Sequence, residues 1–164
     1  MGYWILQHNP NNLRGDYRPP SRIPSNRGCW TISRYVNRIS IGDVAFIWYS
    51  NHNSHNRGIY NVSTIVSVPP HSEESQRQAG IIWENLRHYF DPGAFNRLDQ
   101  YPCILVDDQY SDDFHEPVSV AELRQMGLGN LLIIRMPRWG IYNMDQTAGE
   151  QLLGYIQRTR GVRQ

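Results

Sequence analysis

Tyr3-Trp4-Ile5-Leu6-Gln7-His8-Asn9-Pro10 begins with four apolar residues and ends with polar residues and a proline. This pattern predicts a buried strand that ends in a turn. Gly28-Cys29-Trp30 and the run Val44-Ala45-Phe46-Ile47-Trp48-Tyr49-Ser50 again place tryptophan in a short strand-like segment beside small or polar residues. The three segments together predict a sheet that carries aromatic side chains close to polar ones.

The rest of the chain predicts a mixed α/β (α+β) domain. Further strands are expected over residues 58–68, 101–106, 131–136 and 140–144, and a helix over residues 73–90. Capping boxes at Ser119 and Thr147 predict the starts of two more helices, the second running to about Arg158. Because strands and helices do not alternate as βαβ units, we expect a curved sheet or small β-barrel flanked by helices.

The bulk properties indicate one globular domain that neither crosses nor enters a membrane. The chain has 164 residues, 40% of them hydrophobic, and no apolar run of the length that spans a bilayer. Its start has no signal-peptide pattern. Cys29 and Cys103 each lie in an apolar run, which favours two reduced, buried thiols. These features together predict a cytoplasmic protein.

The positive charge is unevenly distributed. All 16 basic residues are arginines, and the formal net charge is only +1. Arg14, Arg18, Arg22 and Arg27 lie in or beside a long polar segment after the first strand, where guanidinium groups suit phosphate contacts. The alternative is an ordinary solvated loop in a protein that uses arginine in place of lysine.

Aromatic and amide side chains supply a candidate binding site for a nucleobase. Trp30, Trp48 and Trp83 are the candidate walls, since aromatic rings stack on bases whatever their identity. Gln7, Asn9 and Thr31 are the candidate readers of the base edge, because an amide both donates and accepts. For each tryptophan the alternative is packing in the core, and for Asn9 it is organising the turn at Pro10.

Nothing in the sequence predicts catalysis. His52 and His55 have a metal-ligand spacing, but their polar flanks do not form a helix, and no further ligands are evident. The acidic group that includes Asp112 and Asp113 is typical of a solvated loop. The chain lacks a phosphate-binding loop and a nucleophile motif. We therefore expect no catalytic residues, no metal, no cofactor and no enzymatic activity.

The order and spacing of these segments resemble the EVE domain, a PUA-like family related to the YTH readers of N6-methyladenine. The segments that carry the resemblance are the first strand, Gly28-Cys29-Trp30, Ile41-Gly42-Asp43-Val44, Ile47-Trp48-Tyr49-Ser50, Gly58-Ile59-Tyr60, Pro117-Val118-Ser119 and a closing strand–helix pair. The resemblance implies an EVE or PUA-like domain over residues 1–157. The basic tail, residues 158–164, is then a candidate linker to another domain.

The resemblance also implies a pocket for a modified base. Its members, matched by position, are Trp30 as a cage wall, Thr31 beside it, Gln7 and Asn9 at the rim, and Trp48 and Ser50 on the pocket-side strand. Trp83 lies in the segment 72–96, which is longer and more helical than the family pattern.

The expected function is to bind 5-methylcytosine, 5-hydroxymethylcytosine or N6-methyladenine in DNA after the base is flipped out of the duplex. The domain would then be the specificity module of a modification-dependent restriction system, with a fused or partner nuclease or motor subunit. The alternatives are a PUA-type RNA-binding module and a small hydrolase or nuclease whose site the sequence does not reveal.

Overall fold

The computed structural model of the chain describes residues 1–8, 20–50, 57–135 and 140–161. Among the residues singled out above, Asn9, Arg14, Arg18, His52 and His55 lie outside these ranges. The predictions made for them therefore remain predictions.

Within these ranges the strands form one curved, open, seven-stranded sheet in the order β2-β5-β4-β3-β1-β7, with β6 paired to β4. β1 and β3 run parallel, and the other pairs are antiparallel. The strands are β1 Tyr3–His8, β2 Arg27–Thr31, β3 Val44–Tyr49, β4 Gly58–Ser67, β5 Cys103–Asp108, β6 Val118–Ser119 and β7 Ile141–Met144. This confirms the predicted fold class, in its curved-sheet form.

The described helices are α1 Glu73–Leu86, α2 Pro92–Leu98, α3 Val120–Gln125, α4 Leu132–Arg135 and α5 Gln146–Thr159. The capping box at Ser119 is present as predicted. The strand predicted over residues 131–136 is wrong, because α4 lies there. The capping box predicted at Thr147 is also wrong, because α5 begins two residues earlier and Asp145 caps it by accepting from the Ala148 amide at 2.9 Å.

Alternation along β1 separates two layers of the core. Tyr3 and Ile5 pack in a cluster that includes Leu152 and Ile156 of α5. Trp4 and Leu6 face the other way, into a cluster formed by strand and loop residues with no helical member among the described residues. The sheet therefore curves around this second cluster and is covered by helices on the outside.

The described end of the chain is bound to the domain. α5 continues to Thr159, and the Arg160 guanidinium forms two 2.8 Å hydrogen bonds with the Glu122 carboxylate and one of 3.1 Å with the Pro117 carbonyl. The first residues of the predicted tail thus extend the last helix and fix it beside α3. Among the described residues, the helices are too short or too polar to cross a bilayer.

Candidate nucleic-acid interface

One end of the curved sheet gathers aromatic and polar side chains on its inner face. β1 and β3 both end here, where His8 pairs with Tyr49, and β4 begins here at Gly58. β5 runs toward this end: its last residue, Asp108, pairs with Ser63 in the middle of β4 and interacts electrostatically with Tyr49 and Asp113. We call this end of the sheet the mouth; its side chains are those of His8, Trp30, Tyr49, Tyr60, Asn61, Ser63, Asp108 and Asp113.

A row of rings lines the mouth. The His8 and Trp30 rings meet edge to face with centroids 6.1 Å apart, and the His8 and Tyr49 rings lie 4.9 Å apart. Tyr49 stacks on Tyr60 at 4.4 Å with an angle of 20° between the ring planes. All four residues are half-buried. The row therefore offers ring surface on which a flat ligand can stack.

Asp113 is held at the rim by two donors. Its carboxylate accepts from the Tyr49 hydroxyl and, at 3.2 Å, from the Asn61 side-chain amide. Asn61 is itself buried: its amide nitrogen also donates to the Tyr110 carbonyl at 3.3 Å, and its oxygen accepts from the Val62 amide at 2.8 Å. A polar residue in the middle of β4 thus fixes the loop that presents Asp113.

Asp108 lies deeper than Asp113 and is half-buried. The hydroxyl of Ser63, which is fully buried, donates to one Asp108 oxygen at 2.5 Å. Burial raises the pKa of the Asp108 carboxyl to about 6; the Ser63 hydrogen bond opposes this shift, and the negative charges of Asp113 and Asp107 add to it. Asp108 therefore titrates close to neutral pH.

The other titratable rings of the mouth are uncharged at neutral pH. Burial lowers the pKa of His8 to about 4, although Asp113 acts in the opposite direction. Burial, the hydrogen bond to Asp113 and nearby negative charges raise the pKa of Tyr49, and burial with the Asp113 charge raises the pKa of Tyr60. The site thus combines neutral rings with carboxylate acceptors, a combination that suits a neutral base with donor groups better than it suits a phosphate.

Three of the predicted pocket residues lie at this end of the sheet. Trp30 belongs to the row of rings. Gln7 and Ser50 contact each other, with the Gln7 amide donating to the Ser50 hydroxyl at 2.5 Å. They lie on the other face of the sheet, since the Gln7 oxygen accepts from the Tyr142 hydroxyl at 3.4 Å and Tyr142 packs in the helix-covered core.

The structure does not bring the other predicted walls to the mouth. Trp48 is fully buried in the core between the sheet and the helices, so it offers no surface to a ligand. Thr31 follows Trp30 on β2 and therefore faces the opposite side of the sheet. Trp83 lies on α1, where it stacks on Phe95 at 4.6 Å and donates to Asp99 at 2.5 Å. α1 covers the outer face of the sheet, opposite the face that carries Trp30.

The two described arginines of the predicted phosphate contacts differ. Arg22 is exposed to solvent. The Arg27 guanidinium makes a bidentate pair with Asp107, at 2.7 and 2.9 Å, and donates to Gln78 at 2.7 Å. A phosphate at Arg27 would therefore have to compete with a carboxylate already in place. Arg57 lies at the start of β4, beside the mouth, and has a buried Nε with no hydrogen-bond partner among the described residues.

Sequence reasoning missed most of the mouth. The signal for Asn61 and Ser63 was their spacing of two in a strand of β-branched residues, which places two polar side chains on one buried face. His8 and Asp108 each end a strand, and Asp113 was assigned to a solvated loop. In the described residues, no group of three His, Cys, Asp or Glu side chains forms a candidate metal site.

Comparison with known proteins identifies relatives of this fold. Residues 2–154 match the family defined by the EVE domain. Human THYN1, solved in complex with DNA that contains 5-methylcytosine, is 17% identical; the match covers 94% of this chain and 97% of THYN1, with a TM-score of 0.59. A Leishmania major protein is 14% identical over 98% of both chains, with a TM-score of 0.59. A Pseudomonas syringae protein is 17% identical over 93% of this chain and 98% of its own, with a TM-score of 0.55. No curated protein matches the sequence.

Proposed function

This chain belongs to the EVE domain family, and from that premise we propose that it binds DNA carrying a modified base. The base is flipped out of the duplex and held against the rings of the mouth. The preferred ligand is 5-methylcytosine or 5-hydroxymethylcytosine, with N6-methyladenine as the alternative. The observation that carries this proposal is the row of four half-buried rings beside the carboxylates Asp108 and Asp113.

Stacking on the rings of the mouth would offset the cost of base flipping. Extruding a base costs a few kcal/mol, and each stack of a base on an aromatic ring contributes about 1–3 kcal/mol. Trp30, His8 and Tyr49 together present more than one ring to a base. A methyl group at C5 adds contact with these rings and removes further apolar surface from water.

Phosphates next to the flipped base need positive charge outside the mouth. Arg57, which directly precedes β4 at the mouth, is one candidate source of this charge. Arg22 is exposed and has the freedom to follow a backbone. The human THYN1 complex, with its 5-methylcytosine DNA, supports the choice of ligand class.

We further propose that the domain recognises DNA without reacting with it. It would act as the specificity module of a modification-dependent restriction system, and the chemistry would belong to a fused or partner nuclease or motor. Incubation of the pure protein with modified DNA and RNA, with magnesium, manganese or zinc supplied in turn, tests this directly. Cleavage or base release that copurifies with the protein would overturn the proposal.

The binding experiment uses duplexes that differ in one central base: cytosine, 5-methylcytosine, 5-hydroxymethylcytosine, adenine or N6-methyladenine, with RNA of the same sequence. We expect tighter binding to a modified cytosine, and a loss of about 1–3 kcal/mol in Trp30→Ala, because one stack is removed. Trp83→Ala is the matched control, since it removes a half-buried tryptophan of α1 and is expected to leave base preference unchanged.

Circular dichroism confirms that each variant is folded before its affinity is compared. Equal affinity for modified and unmodified DNA, or tighter binding to RNA throughout, would contradict the proposed function. A folded Trp30→Ala protein with unchanged affinity would remove Trp30 from the site.

A further inference from the structure

A reader of 5-methylcytosine must reject thymine, which is present throughout DNA. Thymine has the same ring size and the same methyl group at C5, so stacking and methyl contact do not separate the two bases. They differ at position 4, where cytosine has an amino donor and thymine an oxygen acceptor, and at N3. Any discrimination must therefore come from polar groups that can distinguish a donor from an acceptor.

We propose that Asp108 and Asp113 make the mouth select a cytosine-type base with an exocyclic amino group and exclude thymine. This inference rests on the proposed function and adds to it the groups that read the base edge. Asp113 lies beside the rings, since it accepts from Tyr49, whose ring contacts His8 and stacks on Tyr60. Asp108 interacts electrostatically with both Tyr49 and Asp113.

The hydrogen bonds of Tyr49, Ser63 and Asn61 occupy the side-chain donors of these three residues and leave the two carboxylates as acceptors. The Tyr49 hydroxyl donates to Asp113, and the Ser63 hydroxyl donates to Asp108. Both hydrogens of the Asn61 amide are also used, on Asp113 and the Tyr110 carbonyl. Three polar side chains of the mouth thus direct their donors at the protein itself and not at thymine O4.

The carboxylates keep the capacity to accept more hydrogen bonds. Each carboxylate has about four lone-pair positions. Among the described residues, Ser63 is the one side chain that donates to the Asp108 carboxylate, and it uses one of the two oxygens. An amino group at position 4 of the base finds an acceptor here, whereas the O4 of thymine loses its water and faces negative charge.

The protonation of Asp108 makes the preference for 5-methylcytosine over thymine depend on pH. Because the pKa of Asp108 is about 6, its carboxyl group is protonated at lower pH and can then donate a hydrogen bond to thymine O4. The carbonyl oxygen of the protonated carboxyl still accepts from the amino group of cytosine. The groups that act on Asp108 are Tyr49 on β3, Ser63 on β4, Asp107 on β5 and Asp113 in the loop after β5. His8 on β1 interacts with Asp113. His8 titrates at a pKa of about 4 and Tyr49 well above neutral pH, so neither changes charge in this interval.

The test measures binding of wild-type protein to duplexes with 5-methylcytosine or thymine opposite an abasic site, so that neither base has a pairing partner to lose. We expect 5-methylcytosine to bind at least about tenfold more tightly at pH 7.5. Asp108→Asn and Asp113→Asn should each reduce this ratio severalfold, because an amide can donate to O4. Asp112→Asn, an exposed residue of the same loop, is the matched control and should not change it.

A second measurement needs no variant. The wild-type preference for 5-methylcytosine over thymine should fall as pH drops from 7.5 to 5.5, and this fall should be absent in Asp108→Asn. If wild-type protein prefers 5-methylcytosine to cytosine, yet binds thymine equally well, the inference is wrong and the proposed function stands. If it prefers 5-methylcytosine to thymine but the ratio is independent of both aspartates and of pH, the inference is also wrong. Absence of any preference for 5-methylcytosine over cytosine in paired duplexes is the separate failure of the proposed function.

Discussion

Asp108 illustrates a conflict between stability and binding at a single residue. Its carboxyl has a pKa of about 6, raised chiefly by burial, so the folded protein holds an ionised group at neutral pH in surroundings that favour the neutral form. A half-buried charge that serves only the fold would be expected to have a cationic partner. Here the hydrogen-bonded side chain is the neutral Ser63, and the neighbouring charges include two more carboxylates.

We therefore predict that Asp108→Asn stabilises the protein at pH 7. Because the folded-state pKa exceeds the unfolded value of about 3.9, the contribution of Asp108 to stability decreases as pH rises from 4 to 6 and is level above that range. The neutral amide avoids this loss and can still accept from Ser63, so the gain at pH 7 should be on the order of 2 kcal/mol. Urea unfolding at pH 7 and at pH 4 measures it.

The gain should disappear at pH 4, where both proteins are neutral at this position. Asp112→Asn, on the exposed surface, should change little at either pH. A less stable Asp108→Asn protein at pH 7 would mean that the carboxylate's hydrogen bond to Ser63 outweighs its burial.

In this chain the sequence predicts the type of residue that forms the site better than it predicts where each residue lies in the fold. Trp30, Trp48 and Trp83 were all predicted as base-binding walls, with Trp30 as the best match, and only Trp30 lies at the mouth. The alternation of β3 places Trp48 on the same face as Phe46, and the sequence does not say which face the helices cover. Tyr49, one residue later, faces the site.

At the scale of elements, the contact between α5 and β1 depends on a glycine. A Cβ atom at Gly149 would lie 2.1 to 2.6 Å from atoms of Tyr3. Tyr3 is buried and stacks on Phe46 at 6.2 Å, so its ring has little room to move away. The helix therefore approaches the strand as closely as it does because this position has no side chain.

We predict that Gly149→Ala destabilises the protein by about 1–3 kcal/mol, because the methyl group forces α5 away from β1. Gly80→Ala is the control: it lies on the exposed side of α1, where an added Cβ has no atom within 4 Å. There the alanine should stabilise by about 0.5–1 kcal/mol through helix propensity. Thermal unfolding of both variants compares them, and equal effects of the same sign would contradict the close contact.

The wrong predictions of secondary structure have identifiable physical reasons. Residues 131–136 form a short apolar run, and such a run has the same composition in a strand and in a buried helix; the structure has α4 there. Asp91-Pro92-Gly93 directly follows the helix predicted over residues 73–90 and is typical of a turn that ends a helix. It also starts α2, because Asp91 accepts from the Gly93 and Ala94 amides and Pro92 occupies the first turn.

At the scale of the whole molecule, a net charge of +1 provides no general attraction for DNA. Affinity for the backbone must come from a local group of arginines. Some of the 16 arginines already serve the fold: Arg27 pairs with Asp107, and Arg160 joins α5 to Glu122. Counting basic residues in the sequence therefore overstates the positive charge available to phosphates.

Arg22 and Arg27 were both predicted to contact phosphates, but among the described residues only Arg27 already has a carboxylate partner. We therefore predict that replacing each of them affects the salt dependence of DNA binding differently. The logarithm of the DNA association constant falls linearly with the logarithm of salt concentration, with a slope of about −0.9 for each phosphate neutralised. Arg22→Ala should reduce the magnitude of the slope by about one and weaken binding to all sequences alike, because Arg22 is exposed and is proposed to contact a phosphate. Arg27→Ala should leave the slope unchanged but lower the free energy of unfolding, because it leaves Asp107 without its bidentate partner. Fluorescence anisotropy across a salt series, with urea unfolding of the same proteins, separates the two effects. An unchanged slope in Arg22→Ala, or a reduced slope in a fully stable Arg27→Ala protein, would reverse the assignment and place the DNA backbone along β2 instead.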